Sequence, residues 1–205
     1  MVTVTEAKEL RERFLKALAE SRREPRKNIS VSELVYCLRE AYFNRVFPKP
    51  PTETQLGFFV DGARRHKALQ DLGIGVSEAV VERFGVHGHI DILREVPIEF
   101  KSTRSRQGIP SHYIRQLAYY CVLTMQPYGY LVIQRLMPGA TPWEFYKVEF
   151  TKGDTILYTE DLTYRANLLA DAVRKGDLSL LPRLSGEDAW KCRNCSRRAI
   201  CGADT

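Results

Sequence analysis

Asp91, Glu99 and Lys101 stand in two short segments, GHIDIL (88–93) and PIEFKS (97–102), and their types suit attack on a phosphodiester. Side chains at i and i+2 of a strand share a face, so Glu99 and Lys101 project together. A tight turn at Glu95 lays Asp91 alongside them. Two carboxylates offer oxygen ligands to a hard divalent cation. A cation held there lowers the pKa of a bound water and offsets phosphate charge. A neighbouring lysine either orients that water or stabilises charge in the transition state. The same three residue types also suit an exposed ion pair on a surface strand. Ile90, Ile92, Leu93, Ile98 and Phe100 argue instead for a strand buried on at least one face.

Two neighbours extend the group. His66, in GARRHKAL, offers an imidazole that could complete a ligand set with Asp91 and Glu99. Gln116 and Tyr120 share one face of a helix and can reach a phosphate or the lysine. Arg64, Arg65 and Lys67 flank His66, while Arg104, Arg106 and Arg115 follow the Lys101 strand, so these cations would surround such a site. Tyr113 and Tyr119 could stack on unpaired bases. Taken singly, each of these residues also suits a solvated surface.

The cysteines form a second constellation. The chain has five, an odd set, and Cys192, Cys195 and Cys201 crowd into WKCRNCSRRAIC near the end. A disulfide framework explains this poorly; a metal or cluster site explains it well. With Cys37 they make four thiolates, suited to tetrahedral Zn²⁺ or to an iron–sulfur cluster. Such a group would tie the two ends of the chain together. Cys37 alone equally suits a buried helix cysteine, and Cys121, in YYCVL, reads as a packing residue.

These residues need elements to position them. Thr5 to about Arg22 carries a helical apolar stripe (Leu10, Phe14, Leu15, Leu18), followed by a polar break around Pro25. Ser30 or Ser32 caps a second helix running through Cys37 towards Phe47, which PKPP then stops. A third helix spans about 57–72. Segments 79–84, 86–94 and 96–102 read as consecutive strands, followed by a helix over 111–125. Strands at 129–136 and 143–150 and a long helix over 155–175 precede the cysteine-bearing tail. The order predicts a single mixed α/β domain over 1–205. Lys plus Arg number 31 against 25 Asp plus Glu, a net charge of +6 that suits an anionic partner such as nucleic acid. No apolar run reaches the roughly 18 residues of a membrane span, and the charged N-terminus has no secretory core. The expectation is a cytoplasmic protein.

The ordered set His66, Asp91, Glu99-x-Lys101 and Gln116-x-x-x-Tyr120 resembles the RecB-like branch of the PD-(D/E)xK nuclease superfamily. Ile90 stands where many members have proline. That resemblance implies a central mixed β-sheet flanked by helices. It implies that His66, Asp91, Glu99 and the Phe100 carbonyl bind Mg²⁺ or Mn²⁺. Lys101 then acts on the water, and Gln116 and Tyr120 position lysine and substrate. SVSELVYCLREAYFNRV resembles the opening of the CRISPR-associated exonucleases of the Cas-four family, with Leu38 in place of a frequent proline. This second resemblance spans nearly the whole chain. It implies a clasp of segments 29–56 and 185–205 around a catalytic core at 57–150, with Cys37, Cys192, Cys195 and Cys201 holding a 4Fe–4S or 2Fe–2S cluster. It further implies 5′→3′ exonuclease action on DNA, a role in trimming spacer precursors and partnership with the CRISPR integrase proteins. The absence of any duplex-groove reading motif points to single strands. Two other readings remain: a repair or recombination nuclease outside CRISPR, and a non-catalytic DNA-binding or scaffolding subunit with Zn²⁺ in the cysteine site.

Overall fold

The central strands are rich in β-branched and aromatic residues, as in VHGHIDIL and YGYLVIQR, which favours a sheet covered on both faces. The computed structural model describes residues 8–20, 28–106, 108–193 and 195–202, apart from the side chains of Gln70, Glu187 and Trp190. In it a six-stranded mixed sheet is built from β1 (Ile29–Ser30), β2 (Val76–Arg83), β3 (Val86–Leu93), β4 (Pro97–Thr103), β5 (Tyr128–Arg135) and β6 (Trp143–Glu149). The order is β1-β3-β4-β5-β6, with β2 on the other edge of β3. β4 and β5 run parallel, and the helix α5 (Ser111–Thr124) makes the crossover between them. The turn from β2 to β3 places both Phe84 and Gly85 at positive φ, the geometry that matches strand twist in a two-residue hairpin.

One feature of this sheet opens the site. β3 pairs with β4 over only two rungs, Ile92 with Ile98 and Leu93 with Pro97, while the start of β3 pairs with the short parallel β1. The strands therefore part just where Asp91 and Glu99 stand.

The helices α4 (Glu53–Gln70) and α6 (Lys152–Lys175) each begin earlier than hydrophobic periodicity predicts. Capping boxes explain both starts: Thr52 with Gln55, and Thr151 with Asp154. The expected helix through Cys37 is a correction. It divides into α2 (Val31–Val35) and α3 (Leu38–Val46), with Cys37 as the extended N-cap of the second. Distant arginines stabilise the break. Arg165 donates to the carbonyls of Leu34 and Tyr36, both at 2.6 Å, and Arg115 donates to that of Val35 at 3.2 Å. Free carbonyls at a helix end need such partners. The helix α1 (Lys8–Glu20) buries no residue, and the predicted flanks at 5–7 and 21–22 lie outside the described residues.

The main core joins α2, α3, α5 and α6 to β3 through Leu34, Tyr42, Ile90, Tyr119, Leu162 and Leu169. A second cluster packs Leu117 and Cys121 of α5 on Leu131 and Ile133 of β5. Cys121 is thus a packing residue, its thiol pushed up to about 12 by burial. The tail carries α7 (Trp190–Arg193) and α8 (Arg198–Cys201). No helix among the described residues is long and apolar enough to cross a membrane.

Candidate active site

The gap between β3 and β4 is bridged by a side chain. The Phe100 N–H donates to Asp91 Oδ2 at 2.8 Å, taking the place of a ladder bond, while Asp91 Oδ1 meets His66 Nδ1 of α4 at 2.9 Å. One carboxylate thus fixes the helix against both strands. On β4, Glu99 and Lys101 project to the same side and pair with each other. Lys101 Nζ also donates to Gln116 Oε1 at 2.8 Å, Gln116 Nε2 donates to the Tyr120 hydroxyl at 3.0 Å, and that hydroxyl donates to the His89 carbonyl at 2.8 Å. The chain of contacts runs from β4 through α5 and back to β3. It returns beside Gly88, where a Cβ would stand 2.8 Å from Leu123 and 3.2 Å from Tyr120, so the glycine lets α5 lie close.

Burial sets the electrostatics. Glu99 is only 2% exposed, and desolvation pushes its carboxyl up to about 7 against the attraction of Lys101. Lys101 is held above its usual range because Glu99 and its neighbours outweigh burial. Hydrogen bonding to Asp91 holds His66 high in spite of burial. Glu99 Oε2 is enclosed and has no hydrogen-bond partner, an arrangement that proteins rarely tolerate without a use. Two carboxylates and a main-chain carbonyl are oxygen donors of the kind a hard divalent cation takes, and the orphaned Glu99 oxygen is one of them. Among the described residues no group of three or more His, Cys, Asp or Glu side chains is arranged to hold a metal ion. His66, Asp91, Glu99 and Lys101 are instead engaged with one another.

The fold is one seen in a solved exonuclease. An alkaline exonuclease from Laribacter hongkongensis, LHK-Exo, superposes with a TM-score of 0.52 at 13% identity, over 78% of this chain and 95% of that one. The same exonuclease in complex with dAMP gives 0.51 at 13% identity, over 80% and 95%. The crystal structure of SSO0001 matches at TM-score 0.62 and 20% identity, over 96% of this chain and 98% of that one. No protein-family profile and no curated protein sequence matches the chain. At these identities the likeness establishes the fold.

The cations read from sequence divide. Arg64, Arg104 and Arg106 are exposed, and Arg104 lies 5.6 Å over the Phe58 ring. Arg65 donates to Gln134 at 3.0 Å, and Arg115 serves the helix break at Val35. Stacking of bases on Tyr113 and Tyr119 is corrected. Tyr119 is fully enclosed and its hydroxyl donates to Asp161; Tyr113 is 8% exposed and its ring packs 5.6 Å from Lys101 Nζ. Neither offers an open face.

Sequence reasoning missed Tyr36, which sits at the helix break with its ring 5.1 Å from His112 and 4.9 Å from Lys191 Nζ. Burial pushes its hydroxyl up, and Lys101 is the foremost charge opposing that. No motif marks it; only the break brings it to the lysine. Glu78 of β2 lines a cavity with His66 at a positive φ of 51°, a strained conformation for a non-glycine residue.

Cys37, Cys192, Cys195 and Cys201 are free thiols, all half-buried. Burial raises the thiols of Cys37 and Cys195, and the charge of Cys201 adds to both, so the N-terminal cysteine lies within electrostatic reach of the tail. The Arg197 N–H donates to Cys195 Sγ at 3.4 Å, and Arg39 Nη1 reaches the Cys201 carbonyl at 3.1 Å and its sulfur at 3.9 Å. At Cys195 that N–H works against burial without overcoming it.

Proposed function

We propose that this chain is a metal-dependent deoxyribonuclease that hydrolyses phosphodiester bonds at Asp91, Glu99 and Lys101. The observation that carries the reading is the buried Glu99–Lys101 pair, with an unpartnered carboxylate oxygen, facing Asp91 and His66 at a parting of two strands. The fold shared with an exonuclease supports it. Mg²⁺ or Mn²⁺ held by His66, Asp91, Glu99 and the Phe100 carbonyl would supply Lewis-acid charge and an acidified water. Gln116 and Tyr120 hold Lys101 in place, so its ammonium is preorganised towards charge that develops on the phosphate. The Asp91 link to the Phe100 N–H holds β4 at residue 100 beside that carboxylate.

The preferred substrate in this reading is single-stranded DNA, degraded 5′→3′. Cys37, Cys192, Cys195 and Cys201 would hold an iron–sulfur cluster, 4Fe–4S or 2Fe–2S, and the N–H and guanidinium donors around Cys195 and Cys201 support a thiolate site. The Cas-four resemblance adds a role in trimming CRISPR spacer precursors beside the integrase proteins. The decisive experiment is cleavage of end-labelled single-stranded DNA in Mn²⁺ by anaerobically purified wild type and Lys101→Ala. Cleavage by wild type alone supports the reading, and the retained label gives polarity. Equal cleavage by both removes Lys101 from the site; binding without cleavage by either points to a scaffolding subunit.

A further inference from the structure

Helix α4 carries an unusual surface beside His66. Phe58, Gly62 and His66 form one i, i+4 row, and Phe59, Ala63 and Lys67 form the next. Together with Glu78 of β2 they line an open cavity of about 590 Å³, within the usual range for small-ligand sites. Phe58 and Phe59 are 57% and 41% exposed, and the Arg104 guanidinium lies 5.6 Å over the Phe58 ring. The floor of the trough is made of small residues. A Cβ at Gly62 would meet nothing within 4 Å, so packing does not require the glycine, although glycine weakens a helix interior.

We propose that this trough is a stacking subsite for one unpaired base of a single-stranded DNA substrate, with Phe58 as the platform and Arg104 on the adjoining phosphate. The inference rests on the nuclease reading and adds a residue that recognises the strand. The exposed Phe58 ring beside that small-residue floor takes the face of any base, and a neighbouring guanidinium adds charge complementarity. Arg104 lies over the Phe58 ring at the trough, so a base on that ring leaves its phosphate within reach of the guanidinium. His66 lies eight positions after Phe58 on the helix, about 12 Å along the axis. The stacked base therefore lies a short way along the strand from the bond that is cut.

The test uses oligonucleotides with one abasic residue moved stepwise along the strand. Kd is read by anisotropy in Ca²⁺ and KM by cleavage in Mn²⁺, for wild type, Phe58→Ala and Gly62→Leu. Wild type is expected to bind about ten-fold more weakly when the abasic residue occupies one particular position. Phe58→Ala should show that loss on the intact strand and ignore the abasic residue. Gly62→Leu should bind as weakly while melting no lower than wild type, which separates a filled trough from a damaged fold. A wild type indifferent to abasic position, or a Phe58→Ala variant as sensitive as wild type, overturns the proposal. A position-specific penalty in binding without any cleavage upholds the subsite and sinks the nuclease reading alone. A dimer in sedimentation that Phe58→Ala dissociates, without any abasic effect, assigns the patch to self-association and overturns the proposal.

Discussion

At Lys101 a single ammonium links two elements, because its partners Glu99 and Gln116 come from β4 and α5. A lysine held from two sides loses little freedom when charge develops in front of it, which is the condition for electrostatic preorganisation. Tyr120 completes the support from behind. Tyr120→Phe removes hydroxyl contacts to Gln116 and to the His89 carbonyl while keeping the ring. The expected outcome is a loss of about 1–3 kcal/mol in urea unfolding, as for a buried hydrogen-bonded group. A fall in kcat with KM nearly constant should accompany it, because Lys101 is loosened and the substrate's other contacts are untouched. A variant that loses stability but keeps the wild-type kcat would confine Tyr120 to the fold.

The elements are joined by contacts that a residue's neighbours in sequence do not reveal. Glu33, 7% exposed, accepts from the Ser30 N–H at 2.9 Å and from Arg45 Nε at 2.7 Å, tying α2 to α3 across the break at Cys37. Burial works to raise its carboxyl, yet Arg45 and Ser30 prevail and hold it below the ordinary value of 4.5. As pH falls below that value the unfolded chain takes up the proton first, so stability declines towards the folded pKa. Denaturation between pH 6 and pH 3 should therefore show a drop in wild type that is smaller in Glu33→Gln. At neutral pH, Glu33→Ala should cost about 2 kcal/mol, because Arg45 loses its carboxylate and keeps the Asn28 carbonyl. Glycines test the α5 packing in the same way. A Cβ at Gly129 would meet the Pro97 carbonyl at 2.9 Å, whereas one at Gly88 meets only side-chain tips at 2.8 to 3.2 Å. Backbone cannot give as a side chain can, so Gly129→Ala should lower the melting temperature more than Gly88→Ala. The reverse order would mean that the α5 side chains over Gly88 cannot move aside.

At the scale of the whole molecule α3 meets the cysteine-bearing segment. Arg39 of α3 donates to the Leu181 carbonyl at 2.9 Å and to that of Cys201, and Arg197 reaches the Phe47 carbonyl at 2.9 Å. These contacts hold the tail against α3. If the thiols hold an iron–sulfur cluster as proposed, anaerobically purified protein should absorb in the visible and contain iron. Cys195→Ser should lose both, melt at a lower temperature and expose the tail to limited proteolysis. A coloured, equally stable Cys195→Ser protein would remove that cysteine from the ligand set.

How much of this was legible follows from range. Composition and alternation sufficed for the β2–β4 meander, for α5 and for the shared face of Glu99 and Lys101, because a strand's period of two acts within a few residues. Even the earlier starts of α4 and α6 were written locally, in the boxes Thr52–Gln55 and Thr151–Asp154. The break at Cys37 was not. Its carbonyls depend on Arg115 and Arg165, far along the chain, and helix propensity alone continues through it. Likewise Tyr119 reads as an aromatic that could stack on bases, and only the packing of α5 on α6 turns it inward. The sequence by itself determined that Asp91, Glu99 and Lys101 stand on neighbouring strands, with Glu99 and Lys101 on one face. Tertiary structure decided that β3 and β4 part at Asp91 and that Glu99 loses its water, since desolvation and strand divergence arise only when distant segments pack together.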